Sequence, residues 1–184
     1  MKIVLASASP RRQELIKLIT EDVLVNPCDC DETIKSGLKG KEIAEYLSQI
    51  KGRAVKAQFT DEVIVSADTI VCLGDVVLGK PASRESAYKM LRTLSGNTHS
   101  VFTGVTIIKG ERETTFSQET RVTFYELTDE EIYEYIASGE AYDKAGSYGI
   151  QGKGGVLVKG IEGDYFNVVG LPVARLKREL ENFK

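Results

Sequence analysis

Histidine is almost missing from this chain: His99 is the only one in 184 residues. A Ser-His-Asp triad or a histidine-rich metal centre would have to rest on that single imidazole. Because His99 stands at the start of a predicted strand, it reads as a packing or hydrogen-bonding residue and not as a catalyst. Cysteine is scarce as well. Cys28, Cys30 and Cys72 cannot all pair, and Cys28-x-Cys30 lacks both the spacing and the second Cys/His pair of a zinc site. All three are expected to be ordinary reduced thiols. Any metal should therefore be held by carboxylates.

Long apolar runs are also absent. The segment Met1 to Ala6 is too short for a signal peptide and is followed at once by polar residues and two arginines. Ser66, Asp68 and Asp75 break the most hydrophobic region, so no stretch approaches the roughly 18 apolar residues of a membrane span. Nor is there an excess of either charge: 24 Lys and Arg face 27 Asp and Glu, for a net charge of -3. That balance gives no broad basic face for a nucleic-acid polymer or an anionic membrane. A soluble, cytoplasmic protein is expected, one that meets any polyanion locally. With 42% apolar and 28% charged residues the chain falls in the globular range, and residues 1–184 read as a single domain.

The periodicity alternates strand and helix in the first half and clusters strands in the second. Lys2 to Ala6 reads as a short buried strand, and Ser9-Pro10 as an N-cap and first helical residue opening a helix with Leu15, Ile16 and Ile19 on one face. A strand at Asp22 to Asn26 and a polar loop at Asp29 to Lys39 precede a helix from Gly40 to Phe59, whose stripe is Ile43, Leu47, Ile50, Ala54 and Ala57. Glu62 to Leu73 is strand-like and turns at Gly74-Asp75 into Val76 to Leu78. Ser83 opens a helix ending at Gly96, and Thr98 to Ile108 with Glu113 to Tyr125 form a hairpin. Thr128 and Glu131 make a capping box for a helix closing at Gly139. Beyond a glycine-rich segment, Gly146 to Gly155, short strands are expected at Val156 to Lys159 and Tyr165 to Val169, then a last helix from Pro172. A mixed α/β sheet with flanking helices follows from this order.

Several segments could carry chemistry. Ser7-Ala8-Ser9-Pro10-Arg11-Arg12 places hydroxyls, backbone N–H groups and two guanidinium forks at a helix start, which suits a phosphate as well as it suits a solvated helix end. Asp68, in an otherwise apolar strand, reads either as a strand-end carboxylate facing a ligand or as a group satisfied by backbone N–H. Asp31-Glu32-Thr33 offers further carboxylate on a loop. Lys51 and Lys80 are single cations that matter only if they converge on the same place. The segment around Gln151 allows close backbone approach, but it is neither a Walker loop nor a dinucleotide fingerprint.

Taken together, Leu5 to Arg12, Ser66-Ala67-Asp68-Thr69, Gly79-Lys80-Pro81, Leu94 through His99 to Gly104, Asp143 through Gln151 to Gly152, and Gly163 through Asn167 to Pro172 resemble the Maf family of nucleotide pyrophosphatases over nearly the whole chain. Ala141 departs from the pattern, where a proline is expected. The resemblance implies a fold like that of inosine triphosphate pyrophosphatases, with two lobes around a central cleft, and hydrolysis of a nucleoside triphosphate to monophosphate and pyrophosphate. It implies Asp68 as general base and Glu32, with Asp68, as metal-linked carboxylates. Arg11, Arg12, Lys51 and Lys80 would bind phosphate, with Ser7 beside them. The implied cofactor is a divalent cation, Mg2+ first and Mn2+ as the alternative. Arg11, Thr69 and Gln151 stand at positions separating substrate classes, and their combination resembles members acting on dTTP and UTP. Two alternatives stay open: modified nucleotides as main substrates, or a nucleotide-binding regulator of septum formation. The oligomeric state, a homodimer included, is open too.

Overall fold

The computed structural model describes residues 2–184; Met1, the first residue of the short apolar N-terminal run, lies outside them. Among the described residues seven strands form one mixed sheet. They are β1 (Ile3–Leu5), β2 (Val23–Val25), β3 (Val63–Leu73), β4 (Val76–Leu78), β5 (Thr98–Lys109), β6 (Arg112–Phe124) and β7 (Val158–Gly163). The order is β2-β1-β3-β5-β6-β7, with β4 also paired to β3. Helices α1 (Pro10–Ile16), α2 (Gly40–Lys56), α3 (Arg84–Leu94), α4 (Asp129–Ala137), α5 (Tyr165–Val169) and α6 (Val173–Glu181) flank it.

The sequence signals explain most of these elements. Ile3, Val4 and Leu5 are wholly buried, as expected of a strand held in parallel between β2 and β3. The Ser83 hydroxyl accepts from Ser86 N at 3.1 Å to open α3, and Thr128 with Glu131 makes the capping box of α4. The β5–β6 hairpin closes through Gly110, whose φ of +56° suits the tight turn.

Three expectations need correction. Tyr165 to Val169 is a helical turn, not a strand: Asp164 Oδ1 accepts from Phe166 N at 2.8 Å, and the backbone leaves β7 through Gly163 at φ +125°. A short N-cap thus overrides the β-branched run. The neighbouring strand is displaced as well, because Gly152–Leu157 forms a 3-10 turn and β7 begins only at Val158. On α2, Ile43 and Leu47 are buried as expected, but Ala54 and Ala57 are exposed, and Ala44, Ser48, Gly52 and Val55 complete the packed face. Small residues occupy part of that face because α2 lies unusually close to the sheet. A Cβ on Gly104 of β5 would stand 2.2 Å from the Ala44 carbonyl oxygen, and one on Gly52 would stand 2.7 Å from Ser66 Oγ.

Two smaller apolar clusters lie beneath α2, and the larger packing is at the two ends of the sheet. One of the larger clusters joins β1, α1 and α6 through Leu5, Ile16, Leu171 and Leu176. The other joins α3 and α4 to β4 and the far ends of β5 and β6, through Leu78, Leu91, Phe124 and Ile132. Half-buried Ile150 packs against both. A cavity of about 870 Å³ opens between them.

Candidate active site

The cavity exists because one edge of β3 is interrupted. On one side β5 pairs with β3 from Ile64 to Cys72 without a break. On the other side β1 covers only Val63 to Val65, and β4 covers only Val71 to Leu73. Residues 66–70 of that edge therefore have no strand neighbour. Asp68 and Thr69 lie in the gap and, as successive strand residues, send their side chains to opposite faces. Asp68 is thus not at a strand end, as expected, but in mid-strand beside a gap, which solves the same burial problem another way.

On the first face, Lys51 of α2 donates to Asp68 Oδ1 and lies 3.0 Å from Glu32 Oε2. The close helix–sheet approach permitted by Gly104, the partner of Asp68 across β3 and β5, brings Lys51 there. Burial works against the Lys51 ammonium, but the two carboxylates outweigh it and hold its pKa above the ordinary value. Two oxygen donors thus share one cation at the cleft wall. Nearby, Cys28 and Cys30 are free thiols whose sulfurs lie 3.1 Å apart. Burial, then the neighbouring Cys30, pushes the Cys28 thiol up to about 12, so it stays protonated at neutral pH.

On the second face sits Arg12, held by three acceptors. Its Nε donates to the Gly170 carbonyl at 2.8 Å, Nη1 to Ser7 Oγ at 3.3 Å and Nη2 to Thr69 Oγ1 at 3.0 Å. Burial lowers its pKa, with Asp68 opposing that fall. A guanidinium so fixed is a preset electrostatic wall. Ser9 occupies the N-cap position of α1, but its side chain caps nothing, contrary to expectation. With only seven residues in α1, anion affinity here rests on the arginines more than on the helix dipole.

The opposite wall is looser. Lys80 follows β4, and Gln151 sits between two 3-10 turns of the glycine-rich segment; both are exposed to the cavity. Among the described residues neither makes a side-chain hydrogen bond or ion pair. The backbone on either side of Gln151 is nonetheless anchored. Tyr148 Oη contacts His99 Nε2 at 2.7 Å in the core, and Glu140 accepts from Lys153 N at 3.1 Å. Arg11 spans the mouth toward Asp143, 3.5 Å away, and Lys144 donates to that carboxylate at 2.5 Å. Lys144 and Arg11 hold Asp143 below the ordinary carboxylate value against the effect of burial. All the candidate positions, Ser7, Arg11, Arg12, Glu32, Lys51, Asp68, Thr69, Lys80 and Gln151, line this one cavity. His99 lies in the core behind it, as expected.

The model of the family described as "Maf-like protein" matches residues 2–183. The chain belongs to the Maf family. Among curated relatives, a dTTP/UTP pyrophosphatase of Carboxydothermus hydrogenoformans is 54% identical over 185 residues, covering 100% of the Maf chain and 99% of the relative. One of Bacillus cereus is 50% identical over 182 residues, covering 99% and 95%. Among solved structures, the Staphylococcus aureus Ham1 protein aligns with a TM-score of 0.50 at 16% identity, over 68% of the Maf chain and 73% of that protein. That likeness carries the fold and nothing more. No helix among the described residues of the Maf chain is long and apolar enough to cross a membrane.

No local signal marks Thr103, Glu140, Asp143 or the Gly170 carbonyl of the Maf chain as part of a site. Thr103, Asp143 and Gly170 fall within the motifs shared with the family, but Thr103 meets Thr69 only through the antiparallel register of β3 and β5.

Proposed function

We propose that this chain is a nucleoside triphosphate pyrophosphatase that adds water to the α-phosphorus of dTTP or UTP, releasing the nucleoside monophosphate and pyrophosphate. The supporting observation is the gap in β3: it gathers Asp68, Lys51 and Glu32 on one face and Thr69 with half-buried Arg12 on the other, around a cavity of nucleotide size. The substrate assignment leans on relatives about half identical over almost their whole length, whose names specify dTTP and UTP. Free triphosphates of this kind place the reaction in the cytoplasm.

In this reading Asp68 accepts the proton of the attacking water. Arg12, Arg11, Lys51 and Lys80 take up the charge that grows on the leaving pyrophosphate. The donor set fits a hard divalent cation: Asp68 and Glu32 offer carboxylate oxygens that already share one positive group, the Lys51 ammonium. These two residues would hold Mg2+, which would supply Lewis-acid stabilisation of the phosphate oxygens. Gln151, unpaired at the cavity, would read the base, since an amide can both donate to O4 and accept from N3–H of uracil or thymine.

Pyrophosphate release from a panel of nucleoside triphosphates tests the reading. Turnover of dTTP and UTP, falling on the order of a thousandfold in Asp68→Asn, is the expected result. Binding without turnover in the wild type would sink it.

A further inference from the structure

Two hydroxyls touch the same guanidinium, that of Arg12, yet their protons are placed differently. Thr69 Oγ1 receives Arg12 Nη2 at 3.0 Å and lies 2.9 Å from Thr103 Oγ1. Thr103 Oγ1 in turn lies 3.0 Å from the main-chain carbonyl of Asn167. A guanidinium can only donate and a carbonyl can only accept, so both ends of this chain are fixed. Thr103 must spend its single proton on Asn167. The Thr69–Thr103 contact is then made by the Thr69 proton, and Thr69 keeps only a lone pair for the cleft. Ser7 is set the other way. Its oxygen accepts from Arg12 Nη1 at 3.3 Å and from Ser9 N at 3.3 Å, and among the described residues no acceptor takes its proton.

The cleft therefore offers a donor at Ser7 and an acceptor at Thr69. A phosphate oxygen, which can only accept, fits Ser7 and not Thr69. Because Ser7 and Thr69 ride on the two terminal nitrogens of one guanidinium, the group facing Thr69 lies next to a phosphate. In a nucleotide that neighbour is the sugar, and the base lies farther off. The sugars of dTTP and UTP share one donor, the 3′-hydroxyl.

We propose that Thr103 is a positioning residue that commits the Thr69 hydroxyl proton, so that Thr69 acts as a pure acceptor for the 3′-hydroxyl while Ser7 donates to phosphate. This rests on the nucleotide pyrophosphatase reading and gives the substrate its direction along the cleft. Thr103 is wholly buried and touches no substrate itself. Its influence passes through the orientation of one proton.

The test compares kcat/KM for dTTP and for 2′,3′-dideoxy-TTP, which lacks the 3′-hydroxyl. Wild type is expected to prefer dTTP by about tenfold, the cost of leaving the Thr69 lone pair without its donor. In Thr103→Val the freed Thr69 proton can turn toward the cleft, and the preference drops to about twofold. Thr103→Ser restores it. Ser7→Ala lowers turnover of both nucleotides by the same factor, because it acts on phosphate. Equal turnover of the two nucleotides by wild type overturns the proposal even if Thr103→Val does not fold. So does an unchanged preference in a folded Thr103→Val. Rejection of N3-methyl-UTP together with full turnover of the dideoxynucleotide would move the donor to the base and likewise overturn it. A wild-type protein that hydrolyses none of dTTP, UTP or their analogues fails at the earlier reading instead.

Discussion

The two walls of the cleft are built on different principles. On the β1–β3 side the charged groups beside Asp68 and Thr69 are already engaged: Lys51 bridges Asp68 and Glu32, and Arg12 is held by Gly170, Ser7 and Thr69. Across the cavity Lys80 and Gln151 are exposed and make no such contacts, although the backbone beneath Gln151 is pinned by Tyr148 and Glu140. Groups that must stabilise charge gain from being fixed in advance, since they need not reorganise as the reaction proceeds. Gln151, which would read the base, and Lys80, which would reach the phosphates from the rim, can wait for the ligand, because unpaired side chains at a solvated rim cost little.

The largest test of this contrast is Gly104→Ala. The added methyl would meet the Ala44 backbone, which has no flexible end to yield, so α2 must lift from the sheet. A loss of about 4 kcal/mol or more in denaturant unfolding is expected, with Lys51 drawn away from Asp68 and activity lost with it. An unfolding midpoint equal to that of the wild type would show that the preset wall does not depend on this close approach.

The second test probes the anchor under the looser wall. Burial holds His99 down to about 4, against an ordinary value of 6.5. Between those values the unfolded chain takes up a proton that the folded protein refuses, so this contribution to stability falls as pH drops from about 6.5 to about 4 and is flat below. The whole change is on the order of 3 kcal/mol. Urea unfolding of wild type and His99→Gln at pH 7 and pH 4.5 should show a smaller acid loss in the variant. Parallel losses would remove His99 as the cause.

Arg12→Lys should cost about a hundredfold in kcat/KM for every triphosphate, because an ammonium cannot hold three acceptors in the plane of the guanidinium. Steady-state kinetics on dTTP and UTP would check this, and a loss confined to one nucleotide would contradict a wall that sees only what the two share, the phosphates and the 3′-hydroxyl. The smallest effect belongs to Gln151→Glu, which should leave folding untouched and shift the turnover ratio of UTP to a guanine nucleotide by about tenfold. An unchanged ratio would take Gln151 out of base recognition.

Much of this molecule can be read along the chain because the signals are local. Apolar spacing placed β1, α2 and the β5–β6 hairpin within a few residues, and Ser83 and Thr128 marked their helices by hydroxyl capping that needs only three residues of context. Resemblance of ordered motifs picked out side chains that do share one cavity. Local propensity misled at Tyr165 to Val169, where Asp164 caps a turn, and on α2, where the packed face is chosen by how near the sheet lies.

The sequence by itself determined which residue types are present to bind phosphate and which elements carry them, since those depend on neighbours along the chain. Only the tertiary structure decided that β1 and β4 leave residues 66–70 of β3 uncovered, that Gly104 lets α2 carry Lys51 to Asp68, and that Thr103 directs the proton of Thr69. Each of these depends on strand register or on the separation of a helix from a sheet. Such distances are set by packing between segments far apart in sequence, and no local pattern encodes them.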